Sequence, residues 1–288
     1  MPHMTLSQRR VRYELNDFTP PWSSAQTLLI QHGMGRNADF WRAWPPMLGT
    51  EVSIVRRDLP GHGDSQAPPS GYRWSLDTLV EELVAFLDAL GLERVHFLGE
   101  STAGMLGIAF AARHPQRLHS LILCAAPTTI GKAAQDFFAC GHSSWQSAIR
   151  TLGSGGWARA LAERGGTMGE MIQEQREWVF QQFERIPIEV LVGYSEMVSN
   201  TDVSSLLSSI RTPTLILAPT ASAATPLPQQ RALAAQIAGS ELVEIDGSGH
   251  EIYVDRAAAC CKAVSGFLLR VARPGPCEPD LVACDPLE

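Results

Sequence analysis

The sequence predicts an α/β protein built on a mostly parallel sheet, because short β-rich runs alternate with helical patterns over the first 125 residues. The strand candidates are continuously apolar, as is typical of a parallel sheet that helices cover on both faces. A chain of 288 residues is long enough for one large domain or for a core that carries an insertion. These observations exclude a repeat array and a disulfide-rich miniprotein.

Four strands and two helices make up the first part of the predicted sheet domain. The helix over 75–90 has Ser75 as its N-cap, Gly91 directly after its end and one apolar stripe in between. A second helix begins near Thr102 and ends before Pro115. The strands are predicted at 27–31, 52–56, 95–98 and 118–124.

The pattern changes after these elements, where amphipathic helical segments follow one another. We expect a helical cap over 127–211, inserted into an α/β core of 1–126 and 212–272. The tail 273–288 contains four prolines and is predicted to be disordered. The predicted cap helices are 133–138, 145–152, 156–163 and 170–185, and the later core has strands at 214–218 and 241–245 and helices at 228–238 and 255–271.

Composition and charge exclude several classes of function. The net charge of −7 and the lack of a basic run argue against a nucleic-acid partner. No apolar run reaches the roughly 18–20 residues that cross a bilayer, and Gln8, Arg9, Arg10 and Arg12 interrupt any secretory segment. We therefore expect a cytoplasmic protein that binds a small molecule and no membrane. The six cysteines form no C-x-x-C pair, so we expect reduced thiols and no metal. The oligomeric state stays open.

The most informative segment is the run Gly-Glu-Ser-Thr-Ala-Gly at 99–104, where a predicted strand passes directly into a predicted helix. Small residues stand two positions to either side of Ser101, as in a sharp turn that lifts a serine Oγ above a sheet. Ala103 replaces the second glycine of the strict G-x-S-x-G pattern. The helix that starts at Ser101 would direct its N-terminal N–H groups and the positive end of its dipole toward charge that forms on an attacked carbonyl. Taken alone, the segment also fits an ordinary serine N-cap.

Two further strand ends carry residues that suit acyl chemistry. The first strand runs into His-Gly-Met-Gly, and the backbone N–H groups of Met34 and Thr102 together predict a two-donor oxyanion hole. The last strand runs into a glycine-containing loop that ends at His250, at the edge where parallel-sheet enzymes bind their ligands. A glycine turn after the second strand contains His62, for which we predict a structural role.

Together these segments resemble the α/β-hydrolase superfamily over about residues 27–271. The resemblance implies an eight-stranded, mostly parallel sheet with flanking helices and an inserted helical cap. It also implies Ser101 as nucleophile, His250 as general base, and the backbones of Met34 and Thr102 as oxyanion donors. Within the superfamily, the run 213–226 and the cap length are most similar to the 3-oxoadipate enol-lactonase and related carboxylesterase branch.

The third member of the superfamily's catalytic triad, an acid, is missing from both expected positions. By register with Pro226, the usual position holds Ser222, and the alternative position after the fourth strand holds Ala125 and Ala126. In one interpretation Ser222 or a water orients His250. In another, a different carboxylate reaches the imidazole, and in the third the pocket serves binding or a non-hydrolytic reaction. The carboxylates considered are Asp202, Asp246 and Glu251.

Substrate-binding candidates come from the cap and from the first glycine turn. Arg36 and Arg159 are candidates to hold a substrate carboxylate, with surface arginines as the alternative interpretation. Trp157 is a candidate for an apolar wall, with ordinary helix packing as its alternative. The cap side chains that fit an apolar pocket are Trp145, Trp157, Met168, Met171, Trp178 and Phe180.

The sequence therefore predicts a cofactor-free hydrolase of the carboxylesterase or lactonase type, which cleaves a small ester or lactone through an acyl-enzyme on Ser101. One alternative is a cofactor-free C–C bond hydrolase, lyase or oxygenase on the same fold, in which His250 is the base and Ser101 only positions the substrate. Another alternative is a ligand-binding protein with a degenerate triad.

Overall fold

Eight strands form one sheet in the computed structural model, which describes residues 2–247 and 249–272. The strands are β1 (His3–Leu6), β2 (Arg9–Asn16), β3 (Thr27–Gln31), β4 (Ser53–Arg57), β5 (Val95–Glu100), β6 (Leu118–Cys124), β7 (Thr214–Pro219) and β8 (Glu241–Ile245). Their spatial order is β1-β2-β4-β3-β5-β6-β7-β8. The β1–β2 and β2–β4 pairs are antiparallel, and the other five neighbouring pairs are parallel. The predicted eight-stranded, mostly parallel sheet is confirmed.

Helices connect and cover these strands. They are α1 (Pro45–Leu48), α2 (Leu76–Ala89), α3 (Thr102–Arg113), α4 (Lys132–Phe138), α5 (Trp145–Arg164), α6 (Gln173–Glu184), α7 (Ile188–Ser199), α8 (Leu227–Gln236), α9 (Ile252–Asp255) and α10 (Ala257–Ala272). Short 3-10 turns occur at Ala38–Trp41, Pro115–Arg117 and Ser204–Ser209. No helix in the described ranges combines the length and the apolar character needed to cross a membrane.

The central strands are apolar because both of their faces are covered. Every residue of β3, β5 and β7 is buried, which explains why these strands read as continuous hydrophobic runs. Helix α2 begins where it was predicted to begin, since the Ser75 side chain accepts a hydrogen bond from the Thr78 N–H at 3.1 Å. Gly91 follows the helix with φ +67°, the left-handed conformation that terminates many helices.

The N-terminal hairpin of β1 and β2 is not among the individually predicted strands. Its second strand carries arginines where an apolar face would be expected, and one of them, Arg12, is completely buried. Its guanidinium pairs with Asp58, Asp39 and Glu14 at 3.3, 2.8 and 2.7 Å. Strands are predicted from alternating hydrophobic residues, and a charged residue at a buried position breaks that alternation. The hairpin therefore could not be identified from hydrophobicity.

The chain from 127 to 211, here called the helical insertion, contains α4 to α7 between β6 and β7. The predicted segments 145–152 and 156–163 join in α5, which is interrupted at Gly153 by a non-helical φ of +72°. Helix α7 is not among the predicted helices. The predicted helix 255–271 is divided at Arg256 into α9 and α10. The predicted disorder of 273–288 lies outside the described residues.

Candidate active site

Ser101 lies at the turn between β5 and α3 and has φ 51° and ψ −125°. A positive φ is uncommon for a residue other than glycine, and it persists only where neighbouring contacts impose it. Here the Ser101 N–H donates to Cys124 O at 2.9 Å. The turn also requires a small residue at 104, because a Cβ atom on Gly104 would lie 2.2 Å from the Cβ of Ala126. The predicted strand-to-helix turn at Ser101 is therefore present.

His250 follows β8 and is buried. Its backbone N–H donates to Thr167 O of the helical insertion at 2.9 Å, which fixes the loop. The ring Nδ1 lies 3.0 Å from Ser222 Oγ and 3.2 Å from Thr225 Oγ1. Burial, followed by the charge of Arg36, lowers the His250 pKa to about 3. The imidazole is therefore neutral at neutral pH and available as a base, although a weak one.

The loop after β7 provides the hydroxyls that face Nδ1. Ser222 Oγ accepts hydrogen bonds from the Ala224 and Thr225 N–H groups at 3.2 and 3.0 Å. Two backbone donors and one ring nitrogen thus converge on a single side-chain oxygen. This is the hydrogen-bonding environment that a carboxylate would occupy, but the group present is neutral.

The three carboxylates considered as replacements have other partners. Asp246 Oδ1 accepts from the Thr220 hydroxyl at 3.2 Å, and Asp202 Oδ1 accepts from the Ser204 N–H at 2.8 Å. Glu251 forms an ion pair with Arg36. Within the described ranges, no carboxylate hydrogen-bonds to His250 Nδ1. The structure therefore places hydroxyl groups, and not these acids, beside the imidazole.

Ser101 and His250 line the same cavity. Within the described part of the chain, no hydrogen bond joins the serine hydroxyl to the imidazole. The Nε2 atom instead lies 3.7 Å from Oε1 of Glu100. Hydrogen bonds between catalytic groups often tighten only when substrate binds, so the shared cavity keeps both residues as candidates.

The predicted oxyanion hole contains a side chain that the sequence analysis did not anticipate. The Met34 N–H donates to the hydroxyl of Thr102 at 3.0 Å, and this hydroxyl lies 3.2 Å from Tyr194 Oη. The N–H of Thr102 belongs to the first turn of α3, where backbone donors have no intrahelical acceptor. A developing oxyanion would therefore compete with the Thr102 side chain for one of its two donors.

A buried charged cluster borders the cavity. Arg36 pairs with Glu251, and its guanidinium packs over the rings of Phe40 and Phe183 at 5.3 and 4.8 Å. Glu100 is the functional candidate that sequence reasoning missed. The signal was present, because Glu100 is the one charged residue of an otherwise largely apolar buried strand and directly precedes the serine.

The cavity has a volume of about 70 Å³, several times the roughly 10–15 Å³ that one water needs. It therefore suits a small substrate. Its walls are mainly apolar and come largely from the helical insertion. The apolar lining includes Phe138, Trp145, Trp157, Leu161, Met168 and Phe183.

Some of the predicted binding residues lie elsewhere. The prediction that Arg159 holds a substrate carboxylate is corrected. Arg159 is half exposed and lies outside the cavity lining, and its guanidinium pairs with Glu177 at 3.0 Å and Glu184 at 3.2 Å. Met171 and Trp178 line a separate surface groove, and Phe180 packs against Arg159. None of these four side chains belongs to the described lining of the cavity. His62 is buried and bonded to Pro60 O at 3.0 Å, which is consistent with its predicted structural role.

Two family models match the sequence. A model described as "alpha/beta hydrolase fold" matches residues 26–162, and a model described as "TAP-like protein" matches residues 195–279. The first contains Met34 and Ser101, and the second contains Ser222 and His250. Together the two matches include the glycine turn with Met34, the turn at Ser101, and the loops that carry Ser222 and His250.

Individual relatives span nearly the whole chain. The "Putative carbamate hydrolase RutD" of Yersinia enterocolitica is 26% identical over 260 residues, which cover 88% of this chain and 91% of the relative. Its namesake from Klebsiella pneumoniae is 27% identical over 256 residues, with 84% and 91% covered. The crystal structure of an enol-lactonase from Burkholderia xenovorans LB400 superimposes with a TM-score of 0.79 and 25% identity, and covers 93% of this chain and 100% of that chain.

Proposed function

Because the chain belongs to the α/β-hydrolase superfamily, we propose that it is a serine hydrolase that cleaves a small, uncharged ester or lactone. The observation that carries this proposal is the strained turn at Ser101, which opens into the same cavity as the buried, neutral imidazole of His250. Strain of this kind is found at functional sites more often than elsewhere.

The reaction uses Ser101 as nucleophile and His250 as general base and acid. Nε2 takes the proton of the serine hydroxyl while Oγ attacks the substrate carbonyl, and the resulting oxyanion binds the N–H groups of Met34 and Thr102. The imidazolium then protonates the leaving oxygen as the acyl–oxygen bond breaks. A water, deprotonated by the same nitrogen, releases the acyl group and restores the serine. The helical insertion acts as a cap that limits substrate size and excludes bulk water.

The weak base sets a limit on the substrates. An imidazole with a pKa of about 3 and hydroxyl partners on Nδ1 gains no carboxylate assistance at Nδ1 when it becomes charged. The reaction is then fastest with carbonyls that need little assistance, such as lactones and esters of acidic alcohols. The enol-lactonase neighbour, by its name, acts on this type of compound, which supports the proposal.

The charge distribution supports an uncharged substrate rather than the dicarboxylic type. Arg36 borders the cavity as predicted, but Glu251 compensates its charge. Glu100 adds a second carboxyl group to the same wall. An anionic substrate would approach this wall without an unpaired cation to bind it. The apolar lining from the insertion favours a short hydrocarbon acyl group.

A second candidate function is ligand binding without turnover, and Ser222 favours it, because the acid position holds a neutral side chain. Labelling with a fluorophosphonate separates the two candidates, since the probe reacts only with an activated serine. We expect one adduct per chain on the peptide that contains Ser101, and none in Ser101→Ala. We also expect p-nitrophenyl acetate to be hydrolysed by the parent protein but not by the variant.

The charge of the acyl group is tested in the same assay. p-Nitrophenyl butyrate and an ester of equal length that ends in a carboxylate are compared, and we expect the neutral ester to have the higher kcat/KM. A folded parent protein that neither reacts with the probe nor hydrolyses either ester would contradict the proposed hydrolase and favour ligand binding.

A further inference from the structure

The imidazole of His250 has chemically different neighbours at its two nitrogens. Nδ1 faces the hydroxyls of Ser222 and Thr225 at 3.0 and 3.2 Å. Nε2 faces Glu100, whose Oε1 lies 3.7 Å away. Among the residues that the structure describes, Glu100 is the carboxylate that approaches a nitrogen of this ring. The negative charge missing from the Nδ1 side is thus present on the other side.

The position of Glu100 is tightly fixed. The side chain is only 2% exposed, and Oε2 accepts a hydrogen bond from the Gly33 N–H at 2.7 Å. Gly33 permits this approach, because a Cβ atom there would lie 2.8 Å from Glu100 O and 3.1 Å from Oε2. One carboxylate oxygen is therefore held by the backbone of the oxyanion turn, and the other faces the imidazole.

The charge of Glu100 changes close to neutral pH. Burial raises its pKa to about 7, although the charge of Arg36 and the bond from Gly33 act in the opposite direction. The carboxyl is thus neutral below this pH and negative above it. The titratable groups around it are Arg36, Cys124, Tyr194, His250, Glu251 and Tyr253.

We propose that Glu100 is a positioning residue that stabilises the imidazolium of His250 from the Nε2 side, in place of a carboxylate at position 222. This inference rests on the proposed function, because the imidazolium forms only when Nε2 accepts the proton of Ser101. Above about pH 7 the Glu100 carboxyl is negatively charged, and in this scheme the proton passes from Nε2 to the leaving group. Attraction across 3.7 Å in a buried site lowers the energy of the charged pair.

The substitution Glu100→Gln tests this role, because it removes the charge but keeps an oxygen that can accept from Gly33. With p-nitrophenyl acetate at pH 8.5, we expect kcat to fall about tenfold to hundredfold with little change in KM. In the parent protein, kcat rises with pH through about 7 as Glu100 ionises, and this step disappears in the variant. Glu244→Gln, at an exposed carboxylate on β8, is the matched control, with an unchanged kcat and pH profile.

A double variant separates charge compensation from a purely structural role. In Ser222→Asp, the new carboxylate at Nδ1 supplies the missing charge, so adding Glu100→Gln should cost less than about threefold. An equal loss in both backgrounds, with the pH step retained, would show that Glu100 only holds the Gly33 turn and would overturn the inference.

A third variant covers the case in which Glu100→Gln fails to fold. Glu100→Asp keeps the charge but withdraws it from the ring, and we expect an intermediate loss of kcat and a retained pH step. A loss of the step with full activity would contradict the inference. Fluorophosphonate labelling distinguishes the two levels: an unlabelled, folded parent contradicts the proposed function, whereas a labelled parent that tolerates Glu100→Gln contradicts only the role of Glu100.

Discussion

The turn after β5 and the loop after β7 lie at the same edge of the sheet but differ in how completely they match a serine hydrolase. The β5 turn has the strained serine, its small neighbours and the start of a helix. The β7 loop brings Ser222 to the imidazole at 3.0 Å, in contact with two backbone donors, but offers no negative charge. The comparison shows that the geometry of a triad and its electrostatics are separable.

The reason for this separation is that the β7 loop is held by its backbone donors. A hydroxyl and a carboxylate both accept hydrogen bonds from the N–H groups of Ala224 and Thr225, so the loop conformation does not depend on charge. The pKa of the imidazole, in contrast, does depend on the charge of its neighbour. A charge-assisted hydrogen bond is roughly twice as strong as a neutral one, and a nearby carboxylate raises a histidine pKa.

The largest expected effect concerns His250, which lines the cavity with Ser101 and contacts Ser222. His250→Gln removes the proposed base, and we expect hydrolysis and fluorophosphonate labelling to fall by about 10³-fold or more. His119→Gln, at a partly exposed histidine bonded to Gln26, is the control and should keep full activity. Retention of a large part of the rate in a folded His250→Gln protein would remove the basis for comparing the two regions.

The charge difference itself is tested by Ser222→Asp. The new carboxylate takes over the two backbone donors and faces Nδ1, so we expect kcat to increase about tenfold to hundredfold. The His250 pKa should rise from about 3, which adds an acidic limb to the pH profile of kcat. Ser222→Asn has the same size without the charge and should give no increase. A decrease in Ser222→Asp, or an equal gain in Ser222→Asn, would show that charge is not the missing element.

The smallest effect is expected at the β5 turn, where the Thr102 hydroxyl occupies one of the two proposed oxyanion donors. Thr102→Val removes the hydroxyl that occupies the Met34 N–H, and we expect kcat to rise about threefold because the oxyanion gains an unoccupied donor. Tyr194→Phe leaves the bond between Met34 and Thr102 in place and serves as the control, with unchanged kcat. If Thr102→Val lowers kcat instead, the hydroxyl itself donates to the oxyanion, and the β5 turn is more complete than its resting geometry indicates.

Sequence patterns were sufficient where a local rule applies. The strands 27–31, 118–124 and 241–245 agree with the structure to the residue. For the first two, largely apolar runs bounded by turns identify buried strands. Ser101 could be located because its turn tolerates only small residues at fixed offsets. The register with Pro226 correctly indicated Ser222 as the residue beside His250, since loop length after a strand limits which side chain reaches the ring.

Other features required the tertiary structure. The β1–β2 hairpin was hidden because Arg12 is buried and compensated by carboxylates distant in sequence. Arg159 was a candidate to bind a substrate carboxylate, but its ion pairs with Glu177 and Glu184 on α6 hold it at the surface. Charged side chains are difficult to place from sequence because their role depends on which opposite charge the fold brings within contact distance.

The sequence by itself determined the parallel strands and the serine turn, because each follows from the local conformation that short runs of residues can adopt, and its resemblance to the superfamily indicated that the expected acid positions hold no carboxylate. Only the tertiary structure decided that two hydroxyls face one side of the imidazole, that Glu100 faces the other, and that Glu251 compensates Arg36. These pairings join residues on separate strand ends, and their energies depend on distance and burial, which no local pattern of residues encodes.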